Sequence, residues 1–283
     1  MRVDAHHHVW DLSTGMYRWP TAAEEPIYRS IDSGEIEPHL RAAGIDRTVL
    51  VQAANDTRDT ESMLAAADGH PFIGGVVGWV PLDRPAEAAL ALDRFATHPR
   101  FRGVRHLIHN EADPDWIIRP AVLDGLGLLE ERGVAYDVVA VYPDHLGHVP
   151  FLAQRLPRLT LVIDHLAKPP LQTGDLSGWA VQLRAAAEYP NVVAKLSGLD
   201  TSAGPGWKAD DLRPATDIAF ESFGADRLMF GSDWPVSILG GGYERWFAAV
   251  LELLGHRSPR ERDEVLGGTA ARVYRITDPA SDE

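Results

Sequence analysis

The sequence predicts a single-domain (β/α)8 TIM barrel, and three observations support this fold class. Eight short apolar runs alternate with eight segments of helical periodicity along the 283 residues. The runs are continuously apolar, as expected for the strands of a parallel sheet that helices cover. No G-x-G-x-x-G or Walker loop follows the first run, which disfavours the doubly wound open sheet. A closed barrel therefore accounts best for the pattern.

The composition excludes several classes of protein. Hydrophobic residues make up 45% of the chain, enough for a large core, and the formal net charge is −14. An acidic chain is a poor ligand for nucleic acid or for anionic membrane surfaces. The absence of cysteine rules out disulfides, thiolate metal sites and cysteine nucleophiles. No secretory signal or membrane-spanning apolar stretch is evident, so we expect a cytoplasmic protein. The sequence carries no signal for an oligomeric state.

The first strand ends in three consecutive histidines. Val3 and Ala5 lie in this strand, and His6, His7 and His8 follow directly. Side chains two residues apart share one face of a strand, so His6 and His8 are expected to point the same way and His7 the opposite way. Two imidazoles on one face supply half of a metal site or a pair of proton-handling groups.

The remaining elements follow in regular alternation. After a long loop to about residue 34, helical spacing begins near Ile36 and stops at Gly44. The next seven strands are predicted at 48–52, 72–80, 101–105, 134–139, 159–165, 191–196 and 227–231. The helices after them are predicted at 57–69, 85–97, 120–132, 143–156, 177–189, 210–223 and 243–254. We assign residues 1–276 to the barrel and expect 277–283 to form a loose tail.

Polar side chains collect where the predicted strands end, which is where barrel enzymes place their active sites. These side chains are His6, His8, Arg105, His106, Asp164, His165, Lys195, Ser197 and Asp233. Closing the barrel makes the first and eighth strands neighbours, so Asp233 should lie close to His6 and His8. His165 is expected to face them across the mouth.

This set of side chains is suited to two kinds of chemistry. The predicted ligands of a single zinc-like ion are His6, His8, His165 and Asp233. The same four groups can hold a water and a polarised carbonyl without a metal. Arg105 and Lys195 are expected on the rim, where they would bind substrate and neutralise a developing oxyanion. The competing structural interpretations are a helix-capping Asp233 and a solvent-exposed Lys195.

Five segments of the chain resemble the amidohydrolase superfamily, of the amidohydrolase-2 type. They are Asp4-Ala5-His6-His7-His8-Val9-Trp10, Gly103-Val104-Arg105-His106, Ile163-Asp164-His165-Leu166-Ala167-Lys168-Pro169, Lys195-Leu196-Ser197-Gly198 and Gly231-Ser232-Asp233-Trp234-Pro235. The most similar branch is the sugar-lactone lactonases acting on fucono- and rhamnono-lactones, which is related to the 2-pyrone-4,6-dicarboxylate lactonases. The resemblance covers nearly the whole chain and implies a (β/α)8 barrel that hydrolyses a lactone ring.

The resemblance also implies that Asp233 activates the attacking water, assisted by His6, His8 and His165. Binuclear members of the superfamily bridge their metals with a lysine or glutamate from the middle of the barrel. The fifth strand here, around Asp137, offers no lysine. We therefore expect at most one zinc ion, and the branch includes both enzymes with one metal and enzymes that need none.

The leading functional hypothesis is a lactonase acting on a small-molecule sugar lactone. Trp10, Trp234 and Trp207 are expected to flank the sugar ring. No cluster of three arginines that would bind a dicarboxylate is evident in the sequence, which favours a neutral lactone. The alternative is a metal-dependent decarboxylase of an aromatic or unsaturated acid on the same barrel. A non-catalytic binding protein is a third hypothesis, disfavoured by the complete set of polar groups.

Overall fold

A computed structural model describes residues 1–278 as eight parallel strands, each hydrogen-bonded to the next in chain order. The strands are β1 Val3–His7, β2 Arg47–Val51, β3 Ile73–Gly78, β4 Phe101–His106, β5 Ala135–Val138, β6 Leu161–Ile163, β7 Val192–Leu196 and β8 Leu228–Phe230. Two backbone hydrogen bonds close the ring beyond the end of β8. The N–H of Asp233 donates to the His6 carbonyl (2.8 Å), and the N–H of His8 donates to the Trp234 carbonyl (2.7 Å). The predicted (β/α)8 barrel is confirmed.

Helices connect the strands on the outside. They are α1 Glu37–Ala43, α2 Thr57–Gly69, α3 Pro85–Phe95, α4 Pro120–Arg132, α5 Val149–Arg155, α6 Ser177–Ala187, α7 Leu199–Ser202, α8 Ala209–Phe223 and α9 Tyr243–Leu253. The bounds of α2 and α4 match the prediction because local signals mark them. Asp56 caps the first turn of α2, and Gly133 ends α4 in the left-handed conformation. Within residues 1–278, no helix is long and apolar enough to cross a membrane.

Several predicted elements are shorter than expected, most of all the helix at 143–156 and the strand at 159–165. The helix predicted at 143–156 begins as the 3-10 turn Leu146–His148, and α5 has Pro150 in its first turn, where a missing N–H costs no hydrogen bond. The strand predicted at 159–165 ends at Ile163. His165 and the three residues after it have positive φ angles between 48° and 59°. Non-glycine residues rarely adopt this conformation, so the sequence gives no local sign of it.

A β-bulge in β1 determines where its histidines point. Asp4 pairs with Thr48 and His7 with Leu50, so β1 contains one residue more than β2 over this stretch. Val3 and Ala5 pack inside the barrel, and after the bulge it is His6 that faces the interior. The Asp4 carboxylate holds the bulge by accepting the N–H groups of His6 (3.2 Å) and Ser232 (2.8 Å).

The C-terminal segment closes the barrel at the amino ends of the strands. Helix α10 (Pro259–Asp263), a π-helical turn (Glu264–Gly268) and helix α11 (Thr269–Tyr274) follow α9. Tyr274 and Ile276 pack in the barrel interior against Val3, Val49 and Val193. This closure supports a barrel that extends to residue 276. Thr277 and Asp278 lie in neither helix nor strand, and the rest of the predicted loose tail, 279–283, lies outside the described residues.

Candidate active site

Four side chains meet at the carboxyl ends of the strands, and we call them the mouth cluster: His6, His8, His165 and Asp233. The Asp233 Oδ1 atom lies 3.7 Å from His6 Nε2, 3.3 Å from His8 Nε2 and 4.0 Å from His165 Nε2. All four are buried. The structure therefore brings together the side chains that the sequence predicts from β1, β6 and β8. His7 points away, as predicted, and its Nε2 lies 2.9 Å from the Thr48 hydroxyl oxygen.

The backbone holds two members of the mouth cluster in a strained conformation. His165 has φ 53° and Asp233 has φ 55°, both in the left-handed region. Such residues cost of order 1–3 kcal/mol each and persist only where the surrounding structure fixes them. Strain in both residues that approach from β6 and β8 marks this end of the barrel as a functional site.

Hydrogen bonds fix the proton position of His8 and leave two tautomers open to His6. His8 Nδ1 lies 2.7 Å from the Val51 carbonyl, which only accepts, so Nδ1 carries the proton and the Nε2 lone pair is free. His6 Nε2 lies 3.0 Å from that lone pair. His6 Nδ1 faces both a donor, Lys195 Nζ (3.0 Å), and an acceptor, Asp164 Oδ1 (3.3 Å). Each neutral tautomer of His6 therefore has a partner.

The electrostatics of the mouth cluster place neutral imidazoles beside an ionised carboxylate. Burial lowers the pKa of His165 to about 4. Burial, followed by Lys195, holds the pKa of His6 well below its usual range. Burial alone would raise the pKa of Asp233, but His165, His8 and His6 outweigh it and lower that pKa. At neutral pH, Asp233 is therefore available as a base.

The mouth cluster fits a divalent metal ion. His6, His165 and Asp233 each place a ligand atom within 4.8 Å of the others, the one such grouping found in residues 1–278. Two imidazoles and a carboxylate are a donor set that zinc accepts. The lone pair of His8 borders this group. For His6 to bind through Nε2, its proton must lie on Nδ1, where Asp164 accepts it, and such carboxylate support is usual for metal-binding histidines.

A second group lies deeper in the barrel, and we call it the buried ion cluster: Asp137, Asp164, Lys195 and Tyr274. Lys195 Nζ lies 2.5 Å from Asp137 Oδ2 and 3.1 Å from Asp164 Oδ1. The Tyr274 hydroxyl donates to Asp137 at 2.9 Å. Burial would raise the pKa of Asp164, but Lys195, His6 and Arg105 hold it well below its usual range. Burial raises the pKa of Asp137 to about 6.

The position predicted for Lys195 is therefore wrong. Lys195 is fully buried beneath His6 and does not lie on the rim. Like Val193, it projects from β7 into the barrel, where Asp137 on β5 and Asp164 just after β6 compensate its charge. The lysine that lines the mouth is Lys168, which follows β6 and is exposed.

Arg105 links the two clusters. Its Nη1 lies 3.0 Å from Asp164 Oδ2 and 3.2 Å from His6 Nε2, and its Nη2 donates to the Gln52 carbonyl. Arg105 is 3% exposed and lines the cavity above the mouth cluster. Arg105 therefore faces the cavity, as predicted, and is also a member of a structural ion pair.

A cavity of about 1020 Å³ opens above the mouth cluster. His8, His165 and Asp233 form part of its lining, and four tryptophans contribute to its walls: Trp10, Trp19, Trp79 and Trp116. Trp10 therefore lies where the sequence predicts. A volume of this size accommodates a monosaccharide-sized ligand.

Two predicted aromatic contacts are wrong. Trp234 and Trp207 are buried and are not among the described residues that line the cavity. The backbone of Trp234 takes part in closing the barrel, and the Trp207 indole donates to the Gly240 carbonyl (2.8 Å).

The cavity also contains more arginine than the sequence reveals. Besides Arg105, its lining includes Arg18, Arg58 and Arg84, which come from separate loops. Arg58 is paired with Asp56 and Arg84 with Glu87. Four arginines remote in sequence therefore line one cavity, a feature that the sequence alone did not reveal, and carboxylates neutralise two of them.

Comparisons with known proteins show which family the chain belongs to. The amidohydrolase family model matches residues 3–276. The chain is 39% identical to an L-fucono-1,5-lactonase of Burkholderia ambifaria, covering 100% of this chain and 98% of the relative. It is 35% identical to an L-fucono-1,5-lactonase of Burkholderia multivorans, covering 99% and 98%.

A solved structure extends the likeness to three dimensions. The crystal structure of an amidohydrolase from Burkholderia multivorans with bound zinc is 34% identical, with a TM-score of 0.90, covering 98% of this chain and 100% of that chain. The family match and the structural likeness both cover nearly the whole chain. The chain belongs to the amidohydrolase family.

Proposed function

We propose that this enzyme is a lactonase that opens the ring of a sugar 1,5-lactone such as L-fucono-1,5-lactone. The observation that carries the proposal is an ionised Asp233 among three imidazoles at the floor of a tryptophan-lined cavity. The two lactonase relatives, similar over nearly their whole lengths, support the same substrate class.

In the proposed mechanism Asp233 is the general base. It removes a proton from water as the water oxygen attacks the lactone carbonyl carbon, and the carbonyl oxygen becomes an oxyanion. General base catalysis of this kind contributes about 10²–10⁴-fold. Among the cations that line the cavity, Arg105 ends β4 and Lys168 follows β6, and we assign these two to stabilise the oxyanion.

Collapse of the tetrahedral intermediate breaks the bond between the carbonyl carbon and the ring oxygen. Protonated Asp233 returns its proton to the leaving alkoxide, and the product is the open hydroxy acid. The Nε2 atoms of His8 and His165 lie 3.3 Å and 4.0 Å from Asp233 Oδ1, where they can contact the same water. Ser197 fixes the His165 ring by a hydrogen bond at Nδ1 (2.8 Å).

The proposal includes one zinc ion, held by His6, His165 and Asp233 with His8 adjacent. When bound, zinc polarises a carbonyl oxygen and lowers the pKa of bound water towards about 7. Elemental analysis of untagged protein should find one equivalent per chain. Two equivalents would contradict the single-ion site. Full activity in chelator with no metal bound would assign all four side chains to direct catalysis.

A lactone panel read with a pH indicator tests the function. It should contain L-fucono-1,5-lactone, L-rhamnono-1,5-lactone and 2-pyrone-4,6-dicarboxylate, each corrected for spontaneous hydrolysis. We expect acid release from a neutral sugar lactone and loss of that release in Asp233→Asn. Turnover of the dicarboxylate alone would show that the arginines set the specificity. Carbon dioxide release from an aromatic acid, without lactone turnover, would contradict the lactonase and identify a decarboxylase.

A further inference from the structure

One side of the cavity carries an ordered polar and aromatic group that takes no part in the mechanism above. We call it the distal wall: Trp79, His106, Glu111 and Trp116, all of which line the cavity. His106 ends β4, which is four strands from β8 in the eight-stranded ring. The distal wall therefore faces Asp233 across the mouth.

Hydrogen bonds fix the proton positions in the distal wall. The Trp79 indole N–H can only donate, and it donates to His106 Nδ1 at 2.9 Å. Burial lowers the pKa of His106, so the ring is neutral and carries its single proton on Nε2. That N–H donates to Glu111 Oε1 at 2.7 Å. Trp79 and His106 thus hold the Glu111 carboxylate in one orientation.

Stacking holds the histidine itself. The His106 and Trp116 rings are nearly parallel, with centroids 3.9 Å apart and an interplanar angle of 21°. His106 is 4% exposed, so its hydrogen-bonding capacity is spent on Trp79 and Glu111. Because Trp79 and Trp116 hold its ring, His106 positions the Glu111 carboxylate.

The Glu111 carboxylate keeps capacity for a ligand. Its side chain is 32% exposed, and within residues 1–278 its Oε2 atom accepts no hydrogen bond. Asn55 Nδ2 lies 3.0 Å from His106 Nε2, the atom that donates to Glu111. Because Asn55 Oδ1 accepts the Leu107 N–H (3.0 Å), the nitrogen is its donor end. An acceptor next to a donor suits a hydroxyl group, which both donates and accepts.

We propose that Glu111, oriented by Trp79 and His106, binds the ring hydroxyl groups of the lactone, with Asn55 as an adjacent donor and Trp116 as an apolar surface. The distal wall then selects polyhydroxylated neutral lactones over unsubstituted or carboxylated ones. A carboxylate at this place accepts hydrogen bonds from hydroxyl groups and repels acidic substrates. This inference rests on the proposed lactonase function and assigns the determinant of its specificity.

The test compares Glu111→Gln with wild type on two lactones. One is a sugar 1,5-lactone, and the other is δ-valerolactone, which has the same ring and no hydroxyl groups. Replacing the carboxylate weakens hydrogen bonds made to a charged group, so kcat/KM on the sugar lactone should fall about 10- to 100-fold. On δ-valerolactone it should stay within threefold. An equal fall on both lactones, or no fall on either, would overturn the inference.

Asp83→Asn is the matched control. Asp83 also lines the cavity, is exposed, and acts on His106 only through its charge. Its replacement removes the same negative charge and should leave both rates within threefold. A fall equal to that of Glu111→Gln would show a general electrostatic effect and contradict hydroxyl binding by Glu111. Thermal melts of both variants check folding.

A binding measurement separates this inference from the lactonase proposal. The 1,5-anhydro alditol of the same sugar keeps the ring hydroxyls and lacks the carbonyl, so it binds without turnover. Calorimetry should show binding at least tenfold weaker in Glu111→Gln than in wild type, and unchanged binding would overturn the inference even if δ-valerolactone is not hydrolysed. If that dependence appears in a protein that hydrolyses no lactone, the lactonase proposal fails and hydroxyl binding stands.

Discussion

The barrel interior holds two neighbouring polar groups that are built on opposite principles. In the buried ion cluster every charge has an opposite charge or a hydroxyl within hydrogen-bonding distance, and its lysine projects from a regular strand. In the mouth cluster a carboxylate faces three imidazoles, and two of the four residues have left-handed backbones. His6 belongs to the mouth cluster and touches the other through Nδ1.

This difference indicates that the buried ion cluster supports the fold and that the mouth cluster is the reactive group. A buried ion pair that is fully compensated is costly to break but does not react. Neutral imidazoles beside an ionised carboxylate leave lone pairs directed at one point, which a water proton or a cation can satisfy. Strain at His165 and Asp233 is tolerated because the buried ion cluster below them and the closure between β1 and β8 hold their positions.

The largest expected effect is on the mouth cluster. Asp233→Asn should lower kcat on an accepted lactone by about 10³-fold, because the amide is isosteric but cannot take a proton. The melting temperature should change little, since the backbone hydrogen bond of residue 233 to His6 remains. Steady-state kinetics and a thermal melt measure both. Activity within tenfold of wild type would make Asp233 structural.

The buried ion cluster should respond in the opposite way. Lys195→Met leaves Asp137 and Asp164 buried without their shared cation, so the free energy of unfolding should fall by about 3–5 kcal/mol. Urea denaturation measures it. Lys168→Met is the matched control, because Lys168 is exposed at the mouth, and its unfolding free energy should stay within about 0.5 kcal/mol. Equal stability of the two variants would show that the buried ion cluster does not support the fold.

Replacing Arg105 should affect both substrate binding and stability, because this residue contacts the mouth cluster and the buried ion cluster. Arg105→Met removes a cation from the cavity wall and one hydrogen-bonded partner from Asp164. We expect KM to rise about tenfold and the free energy of unfolding to fall by about 2 kcal/mol, since each loss is a hydrogen bond involving charge. Kinetics and denaturation on the same preparation test the two effects. A change in KM alone would assign Arg105 to substrate binding, and a change in unfolding free energy alone would assign it to structural support.

The smallest effect is expected at the base of the buried ion cluster. Tyr274→Phe removes the hydroxyl that donates to Asp137, but Lys195 remains paired with that carboxylate. Unfolding free energy should fall by about 1.5 kcal/mol, the low end for a hydrogen bond to a charged group. The kcat value should stay within twofold. A large loss of activity with little loss of stability would show that the buried ion cluster takes part in the chemistry.

Local sequence determined the repeating architecture. Short apolar runs, a capping Asp56 and a terminating Gly133 are signals within a few residues, so α2 and α4 were predictable to their ends. The place of His6 and Asp233 followed from the fold class, because the ends of parallel barrel strands meet on one side.

Tertiary structure alone decided which charged groups are buried and which are available. Lys195 is buried because Asp137 and Asp164, which come from other parts of the barrel, compensate its charge. Lys168 lines the cavity after a turn of left-handed residues that the sequence does not signal. Glu111 gains its orientation from Trp79, 32 residues earlier in the chain, through His106. Burial and hydrogen bonding depend on the partners that folding supplies, and those partners lie too far along the chain for local patterns to reveal them.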